Sequence, residues 1–211
     1  MRITAFSDDK RILDTSLEQL KLINPKVSQE NNKVGSFTFT IYPDHPYYNF
    51  IEKMKSIITV YEDGIKEPLF RGRVYDEKTG FYNEKQVSCE GELAFLLDSI
   101  QRPYSFPAEG QSGTPAELFT QYINNHNAQV DEARQFKVGN ITVTDPNDYI
   151  VRSNSDYVST WDELNAKLID HLGGHLWVRH EADGNYIDYL ADFEVLSNQV
   201  IEFGKNLLDL E

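Results

Sequence analysis

The chain has 211 residues, 40% hydrophobic and 12% aromatic, with a formal net charge of −14 at pH 7. That composition can bury a core and is not that of a disordered segment, and no apolar run nears the ~20 residues that cross a bilayer as a helix. The acidity argues against a protein that grips nucleic acid through its phosphates or docks on an anionic membrane, but not against a wall past which DNA slides without adhering.

The opening residues, MRITAFSDDKRILDT, contain no apolar stretch of the kind a signal peptide needs. Residues 16–28 read as a loop and a first strand around Pro25, and QENNK at 29–33 as a polar tip. In GSFTFTIYP, Phe37, Phe39 and Ile41 alternate with Thr38, Thr40 and Tyr42, the period of a half-buried strand that Pro43 and Pro46 end. YYNFIEKMKS (47–56) is a short connector of a helical turn or two. IITVYE is a strand, Asp63-Gly64 a hairpin signal, and EPLFRGRVYD pairs back, with Gly72 marking a bulge or bend. A turn at Thr79-Gly80 leads into EKQVSCEG, another strand, and then ELAFLLDSI (92–100), a helix with Leu93, Leu96, Leu97 and Ile100 on its apolar stripe. Residues 1–102 are thus expected to form an antiparallel sheet curled into a tube-like β-barrel domain with a helix behind it.

RPYSFPAEGQSG (102–113), rich in proline and glycine, marks a boundary. Thr114 reads as an N-cap, with Pro115 first in the helix and Glu117 completing a capping box, and Leu118, Phe119, Tyr122 and Ile123 facing inward. QFKVGNITVTD carries a strand. Ser159 or Thr160 caps a second helix whose apolar face is Trp161, Leu164, Leu168 and Leu172, stopped by Gly173-Gly174. HLWVRHEADGNYIDYLAD is a hairpin around Asp183-Gly184. Residues 103–198 are expected to form an α+β insert domain, and 199–211, QVIEFGKNLLDLE, read as the start of a truncated second barrel. The overall class is mixed β and α+β.

Chemistry has little to stand on. His171, His175 and His180 fall within ten residues, but two glycines interrupt the first pair and an odd spacing along a strand separates the second, so no metal site is expected. Cys89, the only cysteine, sits in mid-strand and reads as a buried structural residue, leaving no internal disulfide and fitting a reducing compartment or a thiol-indifferent protein. GQSG lacks the spacing of a nucleophile elbow and FGKN that of a phosphate loop. Abundant carboxylates do not by themselves make a glycosidase pair, and the aromatic residues read as core and interface anchors ahead of a sugar platform. No catalytic residue, cofactor or metal is expected.

Three stretches carry a resemblance: KVGSFTFTIYPDHPYYNFIEKMKSIITVYEDGIKEPLFRGRV, then QVSCEGELAFLLDSIQRPY, and the late VIEFGKNLLDL. Together, in this order, they resemble the N-terminal region of tail proteins of phages and prophages of Gram-positive bacteria, the minor structural, tail-associated lysin or prophage endopeptidase tail family. The resemblance is strong over 16–107, weaker over 108–198, and resumes at 200–208. It implies a baseplate hub: two tube-like barrels per chain separated by an α+β insert, three chains closing a pseudo-six-fold ring that continues or caps the tail tube. The family's peptidase is a separate C-terminal domain and is not carried over.

The reading is therefore a non-enzymatic virion structural protein of the tail tip, in the host cytoplasm during assembly, whose partners are itself as a trimer in the full-length protein, the tail tube and distal tail proteins. It would bind neither membrane nor specific nucleic acid, although DNA would pass through the ring. The alternatives are a carbohydrate or receptor-binding tail module and part of a cell-wall hydrolase. Candidate lumen-facing or inter-subunit residues are Glu62, Asp63, Glu67, Asp76, Glu77, Glu84 and Glu90, with Arg71 and Arg73 expected to pair with carboxylates of a neighbouring chain.

Overall fold

A computed structural model describes residues 2–193. The expected start of a second barrel at 199–211 lies outside the described residues.

Seven strands make the larger sheet: β1 (Ile3–Ser7), β2 (Lys10–Asp14), β3 (Ile23–Ser28), β4 (Ser36–Ile41), β5 (Ile57–Glu62), β6 (Phe70–Thr79) and β7 (Lys85–Gly91). Their order is β2-β1-β5-β6-β7-β4-β3, with every neighbouring pair antiparallel. The sheet is a curled half-barrel whose ladder stays open, β2 and β3 each having one strand partner among the described residues. The predicted alternation holds in β4: Phe37, Phe39 and Ile41 are buried against Val60, Val74, Val87 and Cys89.

Four features of this sheet differ from expectation. A β1–β2 hairpin precedes the strand expected to be first, turning at Asp8, whose φ of 49° a short polar side chain tolerates without glycine. The β5–β6 connection runs over 63–69, because pairing resumes only at Val60↔Phe70. Residues 47–56 carry turns, with Tyr48 N–H donating to His45 O at 3.0 Å and Phe50 N–H to Tyr47 O at 3.0 Å; so short a segment does not sustain a helix. The β6 register shift lies between Val74 and Asp76, at Tyr75, while Gly72 sits in regular pairing with Ile58 and Gly91. Gly72 answers a different need: a Cβ there would lie 2.0 Å from Glu90 O.

A second hydrophobic cluster lies beyond the sheet. Helix α1 (Pro115–Asn127) begins with the predicted box: Glu117 N–H donates to Thr114 Oγ1 at 3.2 Å and Thr114 N–H to Glu117 Oε2 at 3.3 Å. Two two-stranded ribbons flank it, β8 (Ile100–Gln101) with β12 (Val158–Ser159) and β9 (Tyr104–Phe106) with β11 (Arg152–Asn154). Ser159 caps α2 (Thr160–Leu164), which passes through a π-helical turn at Asn165–Ile169 into α3 (Asp170–Leu172). The strands β10 (Lys137–Ile141), β13 (His175–Glu181) and β14 (Gly184–Leu190) form a sheet in the order β10-β14-β13, with β10 parallel to β14. Phe119 and Tyr189 stack across the helix–sheet interface with ring centroids 5.4 Å apart.

The 92–100 helix is a 3₁₀ segment, Glu92–Asp98. Tighter winding moves the buried face: Ala94, Phe95 and Leu96 are buried, whereas Leu97 is exposed and Ile100 has passed into β8 and is also exposed. Phe95 and Leu96 belong to the second cluster, so this segment joins the two cores.

At that junction Arg73 is clamped. Its Nε donates to Glu90 Oε1 at 2.7 Å and its Nη2 to Asp98 Oδ1 at 2.9 Å, and its guanidinium lies over the Phe95 ring at 5.6 Å. Arg134 Nη1 reaches Asp98 Oδ2 at 2.8 Å from the second unit. Burial opposes the Asp98 charge, but hydrogen bonds from Arg73 and then Arg134 outweigh it and hold its pKa below the ordinary 3.8.

Two outcomes follow. Gly72→Ala forces the β6–β7 pair apart and costs about 1–3 kcal/mol in urea unfolding, with β-sheet content retained. Arg73→Ala strands Glu90, leaves Asp98 with Arg134 alone, and costs about 3 kcal/mol. The Asp98 contribution is fully present above pH 3.8 and is lost as pH falls through its lower folded value. Acid titration of stability therefore shows a steeper loss below about pH 4 in the parent than in Asp98→Asn.

Candidate interaction surface

The nine candidate charges do not share one face. Cross-strand pairing puts Arg71, Arg73 and Glu90 on the outer side of the sheet, opposite the Val74 and Cys89 side chains. The bulge at Tyr75 then reverses the parity of β6, so that Asp76, opposite Ser88, continues the outer face while Glu77, opposite Val87, turns to the inner one.

Several of these charges are already neutralised. Arg71 pairs with Glu92 and Arg73 with Glu90 and Asp98, all within the chain, so the pairing expected across chains is made internally. The reason is the 3₁₀ segment, which brings Glu92 and Asp98 over the start of β6. Asp76 meets Lys53 at 3.2 Å and Glu77 meets Lys85 at 3.2 Å. Glu84 accepts from Tyr82 N–H at 2.9 Å and holds the β6–β7 turn. Among the described residues, Glu62, Asp63, Glu67 and Glu84 have no cation within ion-pair distance.

The polar tip 29–33 does more than cover the end of a hairpin. Asn32 Nδ2 donates to Gly174 O at 2.8 Å, and its Oδ1 accepts from Leu176 N–H at 3.0 Å. Asn31 Nδ2 and His175 Nδ1 lie 2.6 Å apart. These contacts latch the β3–β4 turn to β13. The sequence signal is the Asn pair, since asparagine accepts the positive φ of 53° found at Asn32.

Between latch and sheet lies a cavity of about 360 Å³. Its apolar wall is Phe70, Leu93, Leu176, Trp177, Val178 and Phe193, and its polar end is Arg71, Glu92 and His180. His180 Nε2 donates to Glu92 Oε2 at 2.5 Å. Burial, then the Arg71 charge, lowers the His180 pKa below its usual value.

The three histidines are apart in role. His171 is exposed on α3, His175 stacks on Phe193 with centroids 4.7 Å apart, and His180 faces Glu92. Among the described residues no group of three or more His, Cys, Asp or Glu is placed to hold a metal ion. Cys89 is fully buried within β7, and burial pushes its thiol pKa up, away from nucleophilic use.

No family model matches the chain, and no curated protein matches it. Solved structures do. The 43 kDa tail protein of prophage MuSo2 from Shewanella oneidensis aligns over 99% of this chain and 58% of its own, with a TM-score of 0.61 and 17% identity. The tail protein from Neisseria meningitidis MC58 aligns over 89% of this chain and 49% of its own, with a TM-score of 0.56 and 14% identity. The chain therefore spans about half the length of the tail proteins whose fold it shares, and that fold is not confined to the Gram-positive group the sequence resembles.

Proposed function

We propose that this chain is a structural component of a phage or prophage tail and forms part of a ring at the tail tip that continues or caps the tube. The observation that carries the reading is the fold likeness to the MuSo2 tail protein, which extends over both the curled sheet and the second unit.

The open ladder supports it. A half-barrel whose edges β2 and β3 have no second strand partner among the described residues is suited to completion by neighbouring strands, and its edges carry the usual guards against indiscriminate pairing: Lys10 and Arg11 on β2, Pro25 and Lys26 on β3. Three chains, each with a second barrel supplied by a longer polypeptide, would close such a ring. Within it the uncompensated carboxylates of Glu62, Asp63, Glu67 and Glu84 would line or border a repulsive channel, since duplex DNA carries about one negative charge per ~1.7 Å and would be held by a basic one.

Antibodies raised against the chain, applied to particles produced from the phage or prophage that encodes it, should label one end of the tail in electron microscopy. Particles that assemble normally but carry no label, or carry it on the head, would overturn the assignment. The purified chain should leave duplex DNA unshifted in a gel at about 50 mM salt, where phosphate-gripping proteins bind tightly; a micromolar shift would remove the repulsive channel from the proposal.

A further inference from the structure

His126, in the last turn of α1, is fully buried, as is Thr160 at the start of α2. Both nitrogens of the His126 ring are bonded: Nε2 lies 2.9 Å from Arg134 O and Nδ1 lies 2.7 Å from Ser99 Oγ. The ring stacks on Phe136 with centroids 5.7 Å apart.

The acceptors fix the direction of every proton. A carbonyl only accepts, so Nε2 carries the hydrogen that faces Arg134 O, and the neutral ring meets Ser99 with a bare Nδ1. Ser99 therefore donates to His126, which leaves Thr160 to donate across 2.7 Å to Ser99 Oγ. Thr160 Oγ1 in turn accepts from Gln101 Nε2 at 2.8 Å. Gln101 is oriented from its other atom, Oε1, which accepts from Asn125 Nδ2 at 2.9 Å. The relay runs one way, from Gln101 through Thr160, Ser99 and His126 to Arg134 O.

A proton added at Nδ1 reverses it. Ser99 Oγ must then accept, its own hydrogen must swing to Thr160, and the Thr160 hydrogen loses Ser99 as its acceptor inside the core. We propose that His126 is an acid-sensitive latch: proton uptake reverses the relay and loosens the junction of α1, α2 and the 3₁₀ segment. Thr160 N–H donates to Ser99 O at 2.9 Å, so the residues of the relay also hold α2 in register with that segment. Ser99 follows Asp98, the carboxylate clamped by Arg73 and Arg134, which carries the effect toward the sheet.

The charges around the ring pull both ways. Asp98, from the 3₁₀ segment, and the C-terminal end of α1 favour the imidazolium, while Arg134, from the loop before β10, opposes it. Arg134 is itself held by Asp131 at 3.0 Å. Glu163 of α2 is turned toward Tyr104 and Asn154, and Tyr122 of α1 toward Tyr104. Burial is the largest influence and lowers the His126 pKa below its usual 6.5. The neutral ring's contribution is therefore complete above pH 6.5 and is lost as pH falls from there through the lower folded value. Burial also lowers the pKa values of His45 and His180, so overall stability mixes three rings and the test follows His126 itself. The inference does not depend on the tail assignment.

The test is imidazole-nitrogen NMR of the full 211-residue chain, joined to residue-resolved amide exchange, from about pH 7.5 to about pH 4.5. The neutral His126 ring should carry hydrogen on Nε2 alone and take up its second proton with a midpoint below 6.5. Over that transition the protection of the Thr160 amide, corrected for the intrinsic pH dependence of exchange, should fall roughly tenfold and further than that of the β4 amides. His126→Gln keeps an acceptor toward Ser99 and a donor toward Arg134 O but takes no proton, so its loss at Thr160 should stay under about twofold. Should that variant fail to fold, Asp98→Asn serves instead: the Thr160 loss persists in it and tracks the His126 midpoint. A neutral ring with its hydrogen on Nδ1, or a His126 midpoint at 6.5 or above, would overturn the proposal. So would a Thr160 loss that is as large in His126→Gln, or one that Asp98→Asn abolishes, which would assign the acid response to the arginine clamp.

Discussion

The chain hangs together at one guanidinium. Arg73 belongs by register to the sheet, where it faces Glu90 across the β6–β7 ladder, yet its other hydrogen bonds go to Asp98 at the end of the 3₁₀ segment. Asp98 is also held by Arg134, which comes from the second unit. With its side chain only 7% exposed, Arg73 requires that the sheet register, the short helix and the loop before β10 all be correct at once. A buried charge left without its partners costs more than the pair contributes, so the arrangement acts chiefly as a filter against wrong relative placements of the two cores. Arg71 repeats the device a step along β6, with Glu92 shared by His180 of β13.

Inside the second unit, specificity comes from a buried hydrogen-bond network. Ser99 Oγ lies 2.7 Å from both His126 Nδ1 and Thr160 Oγ1, and Gln101 Nε2 donates to Thr160 Oγ1 at 2.8 Å and to Tyr122 O at 3.2 Å. Glu163 is 2% exposed and accepts from Tyr104 Oη at 2.7 Å and Asn154 Nδ2 at 3.0 Å. Buried polar atoms satisfied this fully resemble the beginnings of an active site, but they are directed at one another and away from the cavity. Their effect is to join β8, β9, α1 and α2 into one rigid piece.

What could be read from the sequence was whatever local chemistry decides. Alternation in β4, the Thr114–Glu117 box, Ser159 as a cap and the glycine pair after α3 are set by near neighbours, and each is present. Features decided by distant contacts were hidden. The β1–β2 hairpin has no glycine at its turn, and its five-residue strands become strands because β5 pairs alongside. The stripe expected on residues 92–100 assumed α-helical winding, but packing against the second core selects 3₁₀ and with it Phe95. The candidate charges were named as one lumen-facing or inter-subunit set, whereas the register shift at Tyr75 sets Asp76 and Glu77 on opposite faces of the sheet in a way no local pattern announces. The partners of Arg71 and Arg73 depended on where the short helix crosses β6, and no spacing in the sequence encodes that.

The bulge explains how a single strand serves opposite requirements at its two ends. Before Tyr75, β6 carries charge on its outer face and uses it to fasten the second unit. After Tyr75 the parity changes, Glu77 turns inward to Lys85, and Lys85 in turn lies over the Tyr48 ring at 4.7 Å. Tyr48 braces the turn that carries Phe81 and Tyr82. An unbulged strand would keep Glu77 on the outer face, leave Lys85 without its carboxylate and weaken the stacking that positions Tyr48. Bulges also increase local twist, which aims the end of the hairpin away from the plane of the sheet. The one residue that disturbs the regular ladder is thus what permits a buried charged seam at one end of β6 and a stiff, solvent-facing aromatic tip at the other.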